Sequence, residues 1–180
     1  MPLVILDRDG VINFDSDDYI KSADEWQAIP GSLEAIARLS SAGFSVAIAT
    51  NQSGLGRGLF TLDDLEAMHD KLRQGVEDLG GEIAGIFYCP HKPDEDCNCR
   101  KPETGLVDAI EEELGVSASG APFIGDSLKD LQLALRKDCQ AILVTTGKGA
   151  KTKSNLPEDI RQQIKIYPDL ASTVDALLGD

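Results

Sequence analysis

The chain has 180 residues, 42% of them apolar and 27% charged, which fits one globular unit with a sizeable core. Thirty-one acidic residues against 17 basic ones give a net charge of −14. That balance argues against general affinity for nucleic acid or an anionic membrane, since both need a basic face, and leaves open a small anion held by a few local cations. No apolar run reaches the roughly 18 residues that span a bilayer. No signal-peptide pattern precedes the first apolar run. The expectation is therefore a cytoplasmic protein, monomeric by default at this size, whose four cysteines serve as thiols or ligands and not as disulfides.

Strand-like and helix-like segments alternate. Leu3-Val4-Ile5-Leu6 reads as a buried strand that ends in Asp7-Arg8-Asp9-Gly10. Ser45 to Thr50 is a second, followed by Asn51-Gln52-Ser53. Thr61 is placed to cap a helix running to about Leu79, with Leu62, Leu65, Met68, Leu72, Val76 and Leu79 at spacings of three and four. Gly85 to Cys89 reads as a strand, and an irregular loop runs from Pro90 to Pro102. Leu106 to Leu114 forms a short helix closed by Gly115. Pro122 to Gly125 leads into Asp126, and Leu128 to Arg136 is helical. Ala141 to Thr145 is a further strand, followed by Gly147-Lys148-Gly149. Lys148 to Pro157 looks like a linker, but one too short to separate a pair of domains. Lys165 to Tyr167 forms a last short strand, and Asp169 to Leu178 a helical tail. Strands joined by helical crossovers imply an α/β fold, a three-layer, Rossmann-like parallel sheet covered on both faces, in a single domain 1–180. The gaps after the first and second strand ends are too short for a large cap domain.

In a parallel sheet the carboxyl ends of the strands share one edge, where ligands bind. Successive strand residues point to opposite faces, so Asp7 and Asp9 project to one side as the first strand stops. Asp-x-Asp alone is equally compatible with a solvated acidic turn. Asp126, at the end of the fourth strand, adds a third carboxylate to that edge, and the cluster is a hard-oxygen set suited to Mg²⁺. Thr50 brings a hydroxyl and Lys101 an ammonium, both suited to phosphoryl oxygens. Asp130, four residues past Asp126, orients Lys101 or metal-bound water, or is a solvated helix residue. Cys89-x-His91 followed by Cys97-x-Cys99 is a Cys₃His set, a structural zinc complement in a loop at 89–99. Such a site would stiffen the segment ending in Arg100-Lys101. Cys139 reads as a small buried hydrophobe, and His69 as a partly exposed structural residue of the amphipathic helix.

Asp7-x-Asp9-Gly10, Thr50, Lys101 and Gly125-Asp126-x-x-x-Asp130 resemble, in order, the four signature motifs of the haloacid dehalogenase (HAD) superfamily, and the second acid at Asp9 resembles its phosphatase branch. The resemblance implies a Mg²⁺ ion held by Asp7, Asp126 and the Asp9 carbonyl. It implies Asp7 as nucleophile, forming an aspartyl-phosphate, and Asp9 as general acid and then base. Thr50 and Lys101 would neutralise the transferring phosphoryl group. The acid role leads us to expect a raised pKa for Asp9 from its acidic neighbours.

Asp7-Arg8-Asp9-Gly10-Val11-Ile12-Asn13, Thr50-Asn51-Gln52-Ser53-Gly54, Arg57-Gly58 and Cys99-Arg100-Lys101-Pro102 narrow the resemblance to the small zinc-containing phosphatases of D-glycero-D-manno-heptose 1,7-bisphosphate, which act in the synthesis of nucleotide-activated heptose for lipopolysaccharide. Asn51, Gln52, Ser53, Arg57 and Arg100 fall on that family's substrate-lining positions, with Arg57 and Arg100 suited to clamp the non-reacting phosphate. The implied partner is a small sugar bisphosphate. Many members carry Lys where this chain has Ser127, and Lys129 is the nearby replacement for its charge. The five-residue spacing between His91 and Cys97 equally resembles the histidinol-phosphate phosphatases of histidine synthesis. The Arg57 loop favours the bisphosphate. A catalytically silent phosphosugar-binding module is a third reading, disfavoured because a pure binder gains nothing from placing Asp9 beside Asp7.

Overall fold

Alternate side chains of a strand leave the sheet in opposite directions, and in the first strand of this chain both directions are apolar. The computed structural model describes residues 2–179. It places Val4 and Leu6 of β1 (Leu3–Leu6) in one buried cluster, and Leu3 and Ile5 in another on the far side. Helices therefore cover both faces, as a parallel sheet requires. The first cluster is closed by α1 (Ser32–Ser41), α3 (Leu62–Glu77) and α8 (Leu170–Leu178). The second is closed by α4 (Gly105–Leu114) and α5 (Leu128–Arg136).

The other strands are β2 (Ser45–Asn51), β3 (Gly85–Cys89), β4 (Pro122–Gly125), β5 (Gln140–Val144) and β6 (Lys165–Tyr167). All pair in parallel, in the order β3-β2-β1-β4-β5-β6. The chain winds outward from β1 to β3, then returns to β4 and winds the other way. The crevice beyond the ends of β1 and β4 is thus the topological switch point, the preferred ligand position in open α/β sheets. Asp7 follows β1 and Asp126 follows β4, so the order of strands alone brings these two acids together.

Several of the expected elements differ at a boundary, β2 among them by running one residue further, to Asn51. The helix begun by Thr61 has a capping box with Asp64 but stops at Glu77, leaving Leu79 46% exposed with no core to cover. β5 starts and ends one residue early, and α4 starts one residue early, at Gly105. Four stretches are helical without having been expected so. α1 buries Ala35, Ile36 and Leu39 in a segment with no assigned element. The stretch read as a linker holds α6 (Gly149–Ser154), while α2 (Ser53–Gly56) and α7 (Glu158–Arg161) are single turns. Tertiary contact accounts for α6. Gly149 lies so close to β5 that a Cβ there would collide with the Val144 carbonyl, and Thr152 Oγ1 donates to the Asp126 carbonyl at 2.8 Å. Cys139 is buried, as expected, and its thiol reaches the Ala118 carbonyl at 3.3 Å.

Gly10 and Gly147 close the edge where the acids gather. Both have positive φ, 85° and 56°. A Cβ on either would overlap the Asp126 carboxylate, and one on Gly147 would also overlap the Gly10 backbone. Thr146 Oγ1 seals the contact by donating to the Gly10 carbonyl at 2.6 Å. Gly147→Ala should therefore lose at least about 1–2 kcal/mol, or roughly 2–4 °C in Tm for each kcal/mol in a chain of this size. An unchanged thermal midpoint would show that the two loops separate without cost.

Candidate active site

The first layer of the site is a buried knot of charge. Asp7 (8% exposed), Asp126 (3%), Asp130 (1%) and Lys101 (4%) meet at the switch point. Lys101 Nζ donates to Asp7 Oδ1 at 2.9 Å, Asp130 Oδ1 at 2.7 Å and the Ala49 carbonyl at 3.0 Å, which uses all three of its donors. Burial works against its charge, but Asp130 and Asp7 outweigh burial and keep the ammonium protonated well above its ordinary range. The carboxylates are left in excess. Burial and the Asp130 charge push Asp7 well above its usual value despite Lys101, and the same two causes raise Asp126 to about 7. Three buried carboxylates against one ammonium leave the knot short of positive charge.

Asp130 is not the solvated helix residue of the alternative reading. Its Oδ1 holds Lys101, while its Oδ2 accepts from the backbone of Asp126 and Ser127 at 3.2 and 3.3 Å and from Ser127 Oγ at 3.0 Å. Ser127 and Asp130 form the capping box of α5. This explains a serine at position 127 and also shows a signal readable in the sequence, since Ser-x-x-Asp before an apolar run marks a helix start. With Asp130 committed, the carboxylates of Asp7 and Asp126 are the ones able to hold a cation. Their hard oxygens, closeness and uncompensated charge fit a divalent ion such as Mg²⁺.

The second layer surrounds Asp9 and is built differently. Arg8 Nε and Asn13 Nδ2 each donate to Asp9 Oδ1 at 2.9 Å, and Gln52 Nε2 donates to Oδ2 at 3.1 Å. Burial acts to raise the Asp9 carboxyl, but the Arg8 charge and these hydrogen bonds together outweigh it and hold the group below its usual value. This corrects the expectation of a raised pKa. The dominant charge at Asp9 is the adjacent guanidinium and not the neighbouring acids. Gln52 Nε2 also donates to the buried Thr50 hydroxyl at 3.0 Å, so β2 and β1 share one polar bridge.

Around these layers lies a cleft of about 610 Å³. Asp7, Asp9, Thr50, Asn51, Gln52, Ser53, Arg100, Lys101 and Asp126 all line it. Asn51 is largely committed elsewhere, its amide clasping the Lys101 backbone through Lys101 N to Oδ1 at 3.0 Å and Nδ2 to the carbonyl at 3.5 Å. Arg57 lies outside the lining. It is exposed, with its guanidinium 6.0 Å from the ring of Tyr19, which does line the cleft. Lys129 lines the cleft, as does Lys148, a site residue that sequence reasoning missed although Gly147-Lys148-Gly149 follows β5 at the ligand-binding edge. Burial and then the charges of Arg100, Lys148 and Lys101 lower the Lys129 pKa. Cations crowded so closely mark a place that favours an anion. Lys148 is ion-paired with Asp15 at 3.5 Å across the mouth.

The end of β3 and the irregular loop after it bring four donor side chains together. Cys89, His91, Cys97 and Cys99 present donor atoms within 4.8 Å of one another. Among the described residues, none of the cysteines is in a disulfide. The Cys89 and Cys97 sulfurs are 3.9 Å apart, and His91 Nδ1 lies 3.5 Å from Cys89 and 3.3 Å from Cys99. A tetrahedral ion with metal–sulfur bonds near 2.3 Å has ligand–ligand edges of about 3.5–3.8 Å. The Cys89 and Cys99 sulfurs are closer, at 2.6 Å. The loop thus has the donors and the spacing to hold a metal ion. Its last residues, Arg100 and Lys101, enter the cleft, with Arg100 Nη1 tied back to the His91 carbonyl at 3.3 Å.

Residues 98–173 match the family model described as HAD-hydrolase-like. The D-glycero-β-D-manno-heptose-1,7-bisphosphate 7-phosphatase of Pseudomonas aeruginosa is 56% identical over 98% of this chain and 97% of its own length. The enzyme of the same name from Pseudomonas putida is 52% identical over 99% and 100%. The crystal structure of D,D-heptose 1,7-bisphosphate phosphatase from Bordetella bronchiseptica, complexed with magnesium and phosphate, superposes with a TM-score of 0.93 at 49% identity, covering 99% of each chain. Full-length identity at this level, with the same fold, places this chain in the heptose bisphosphate phosphatase family of the HAD-like hydrolases.

Proposed function

We propose that this protein hydrolyses the C7 phosphate of D-glycero-β-D-manno-heptose 1,7-bisphosphate through an aspartyl-phosphate on Asp7. The observation that carries the chemistry is the pair of unlike carboxylates, Asp7 beside a buried ammonium and Asp9 beside a guanidinium. The substrate is supported by the names of the full-length relatives. An Asp7 oxygen attacks phosphorus, and the bond between phosphorus and the C7 oxygen breaks. Asp9 gives its proton to the departing alkoxide, then takes one from the water that attacks the aspartyl-phosphate, releasing phosphate and restoring Asp7. Lys101 and Thr50 balance charge on the phosphoryl oxygens. A Mg²⁺ ion bound by Asp7 and Asp126, with the Asp9 carbonyl, would supply Lewis-acid stabilisation of the same oxygens. In the free site Asp9 is held ionised, so its acid role depends on the arriving phosphate dianion, a like charge that raises its pKa.

The second phosphate falls among Arg100, Lys129 and Lys148, the cations that line the cleft, with Arg57 acting from the rim. Zinc on Cys89, His91, Cys97 and Cys99 holds the loop that delivers Arg100 and Lys101. That role is structural, because four protein ligands leave no open position.

Three measurements test this reading. With Mg²⁺ present, kcat/KM for the β-bisphosphate should exceed that for L-histidinol phosphate by about 100-fold or more, which is about 2.7 kcal/mol of transition-state discrimination. The reverse preference would move the protein to histidinol phosphate and leave the outer cations without a partner, and a preference for the α-anomer would change the assigned sugar. Asp7→Asn should abolish turnover with an unaltered circular dichroism spectrum, and Asp9→Asn should lower it about 10²–10⁴-fold; turnover retained by the Asp7 variant would remove the nucleophile assignment. Chelation that strips zinc should lower Tm and abolish activity even with Mg²⁺ restored. Equal melting of the zinc-loaded and verified zinc-free protein would rule out the structural role.

A further inference from the structure

Beyond Asp9, the polar chain continues into the core. The alternation that sends Leu3, Ile5 and Asp7 to one face sends Val4, Leu6 and Arg8 to the other, beneath α3. Arg8 is a fully buried arginine, 0% exposed. One edge of its guanidinium serves Asp9. Nε donates to Oδ1 at 2.9 Å, while Nη2 lies 2.8 Å from the same oxygen as an ion pair that makes no hydrogen bond, so the guanidinium has no donor bond to spare. The opposite corner, Nη1, lies 3.2 Å from Nε2 of His69 on α3, with the thioether of Met68, at 4.0 Å, as its one further partner among the described residues.

The chemistry of this contact has one solution. Arginine is always charged and only donates, so His69 Nε2 must accept, and the ring proton sits on Nδ1. Burial and then the Arg8 charge hold the imidazole neutral, with a pKa near 3. His69 is therefore neither the partly exposed residue expected from the sequence nor an acid or base. It is 8% exposed and serves as a fixed acceptor. Without it a buried guanidinium N–H has only a weak sulfur partner, and a donor left unmade in the interior costs more than the bond is worth. The guanidinium would tilt to recover it and drag Asp9 along.

Asp9 depends on that orientation. Its Oδ1 is surrounded by Arg8 Nε, Arg8 Nη2 and Asn13 Nδ2, whereas Oδ2 receives only Gln52 Nε2 among the described residues. Oδ1 is thereby committed to the core side and Oδ2 is left to carry the proton. We infer that His69 is a positioning residue for the phosphatase reaction, acting through Arg8 to hold Asp9 so that Oδ2 faces the leaving oxygen. This inference rests on Asp9 being the general acid, as proposed above.

An alkoxide needs a proton as it leaves and p-nitrophenolate does not, so a displaced Asp9 acid penalises a sugar phosphate far more than an aryl one. The quantity to read is kcat/KM, which reports the steps through aspartyl-phosphate formation. His69→Met removes the acceptor at similar length, and His69→Gln keeps one. His69→Met should lose about 10-fold or more in kcat/KM on the heptose bisphosphate, and at least about fivefold less than that on p-nitrophenyl phosphate. His69→Gln should recover to within about threefold of the parent on both substrates. No loss with His69→Met, equal loss on the two substrates, or a glutamine variant as impaired as the methionine one would each overturn the inference. If His69→Met does not fold, Arg8→Lys, which keeps the charge but cannot reach both Asp9 and His69, is expected to show the same leaving-group dependence, and equal losses there would overturn it too. Asp9→Asn separates the two readings. If it is as active as the parent on the sugar phosphate, the acid assignment itself fails. If it is inactive while His69→Met is unaffected, only the role of His69 falls.

Discussion

One buried ammonium organises this site. Lys101 arrives from an irregular loop, not from the sheet, yet its three donors join Asp7 after β1, Asp130 on α5 and the Ala49 carbonyl of β2. Without that cation, three buried carboxylates would face one another, an arrangement that must be protonated, paired or metal-bound. The demand propagates outward. Lys101 must be delivered accurately from a segment with no regular structure, and two devices hold it: the Asn51 side chain clasps its backbone, and the Cys₃His cluster organises the loop immediately before it. Asp130 extends the dependence to α5, because the carboxylate that fixes Lys101 also caps that helix. A Cys₃His cluster able to hold a metal ion, a helix start and a lysine lining the cleft thus belong to one connected arrangement.

The two carboxylates of Asp7-x-Asp9 face the same edge but have opposite surroundings. Desolvation and like charge dominate at Asp7, which therefore calls for a cation. A guanidinium and two amides dominate at Asp9, which needs none and is held rigid. Pairs of acids with divergent environments are how one site divides nucleophilic from acid–base work. Here the contrast in surroundings follows from strand geometry. Arg8, between the two, points through the sheet to the opposite face and returns its charge to Asp9 from below, out of reach of the Lys101 knot.

The sheet and its ligand-binding edge were legible because their signals are short-range. Apolar runs bounded by turn residues mark the strands, and the carboxylates follow directly where those runs stop. The Cys₃His loop was legible from spacing alone. What the sequence hid is mostly tertiary. α6 forms in a stretch that reads as a linker because the Asp126 loop and β5 pack against it. α1 is the exception, since Leu33, Ile36 and Leu39 sit at helical spacing and Leu39 and Ile36 are buried. The direction of the Asp9 pKa was misjudged because counting nearby acids ignores which charge is in contact, and the contact is with Arg8, the residue next in sequence. His69 was underestimated for a related reason. It lies on the apolar face of α3 among Leu65, Met68 and Leu72, where a lone histidine reads as filler until the buried arginine beneath it is known.

The chain's acidity and its anionic substrate are reconciled by distribution. Only 17 basic residues oppose 31 acidic ones, and in the cleft the cations Arg100, Lys101, Lys129 and Lys148 stand beside the carboxylates Asp7, Asp9, Asp15, Asp17 and Asp126, so a divalent cation on the acid cluster would tip the recess toward positive charge. Charges on the remaining surface are screened over about 8–10 Å in physiological salt, whereas those in a recess with low-dielectric walls are screened less and their field is focused at the mouth. The acidic exterior therefore discourages polyanions, which need a broad basic face, while a recess loaded with its cation would attract a small anion. The Lys148–Asp15 pair sharpens the distinction. It gives a cleft cation an internal carboxylate partner, which an entering anion would have to replace to gain the charge of Lys148.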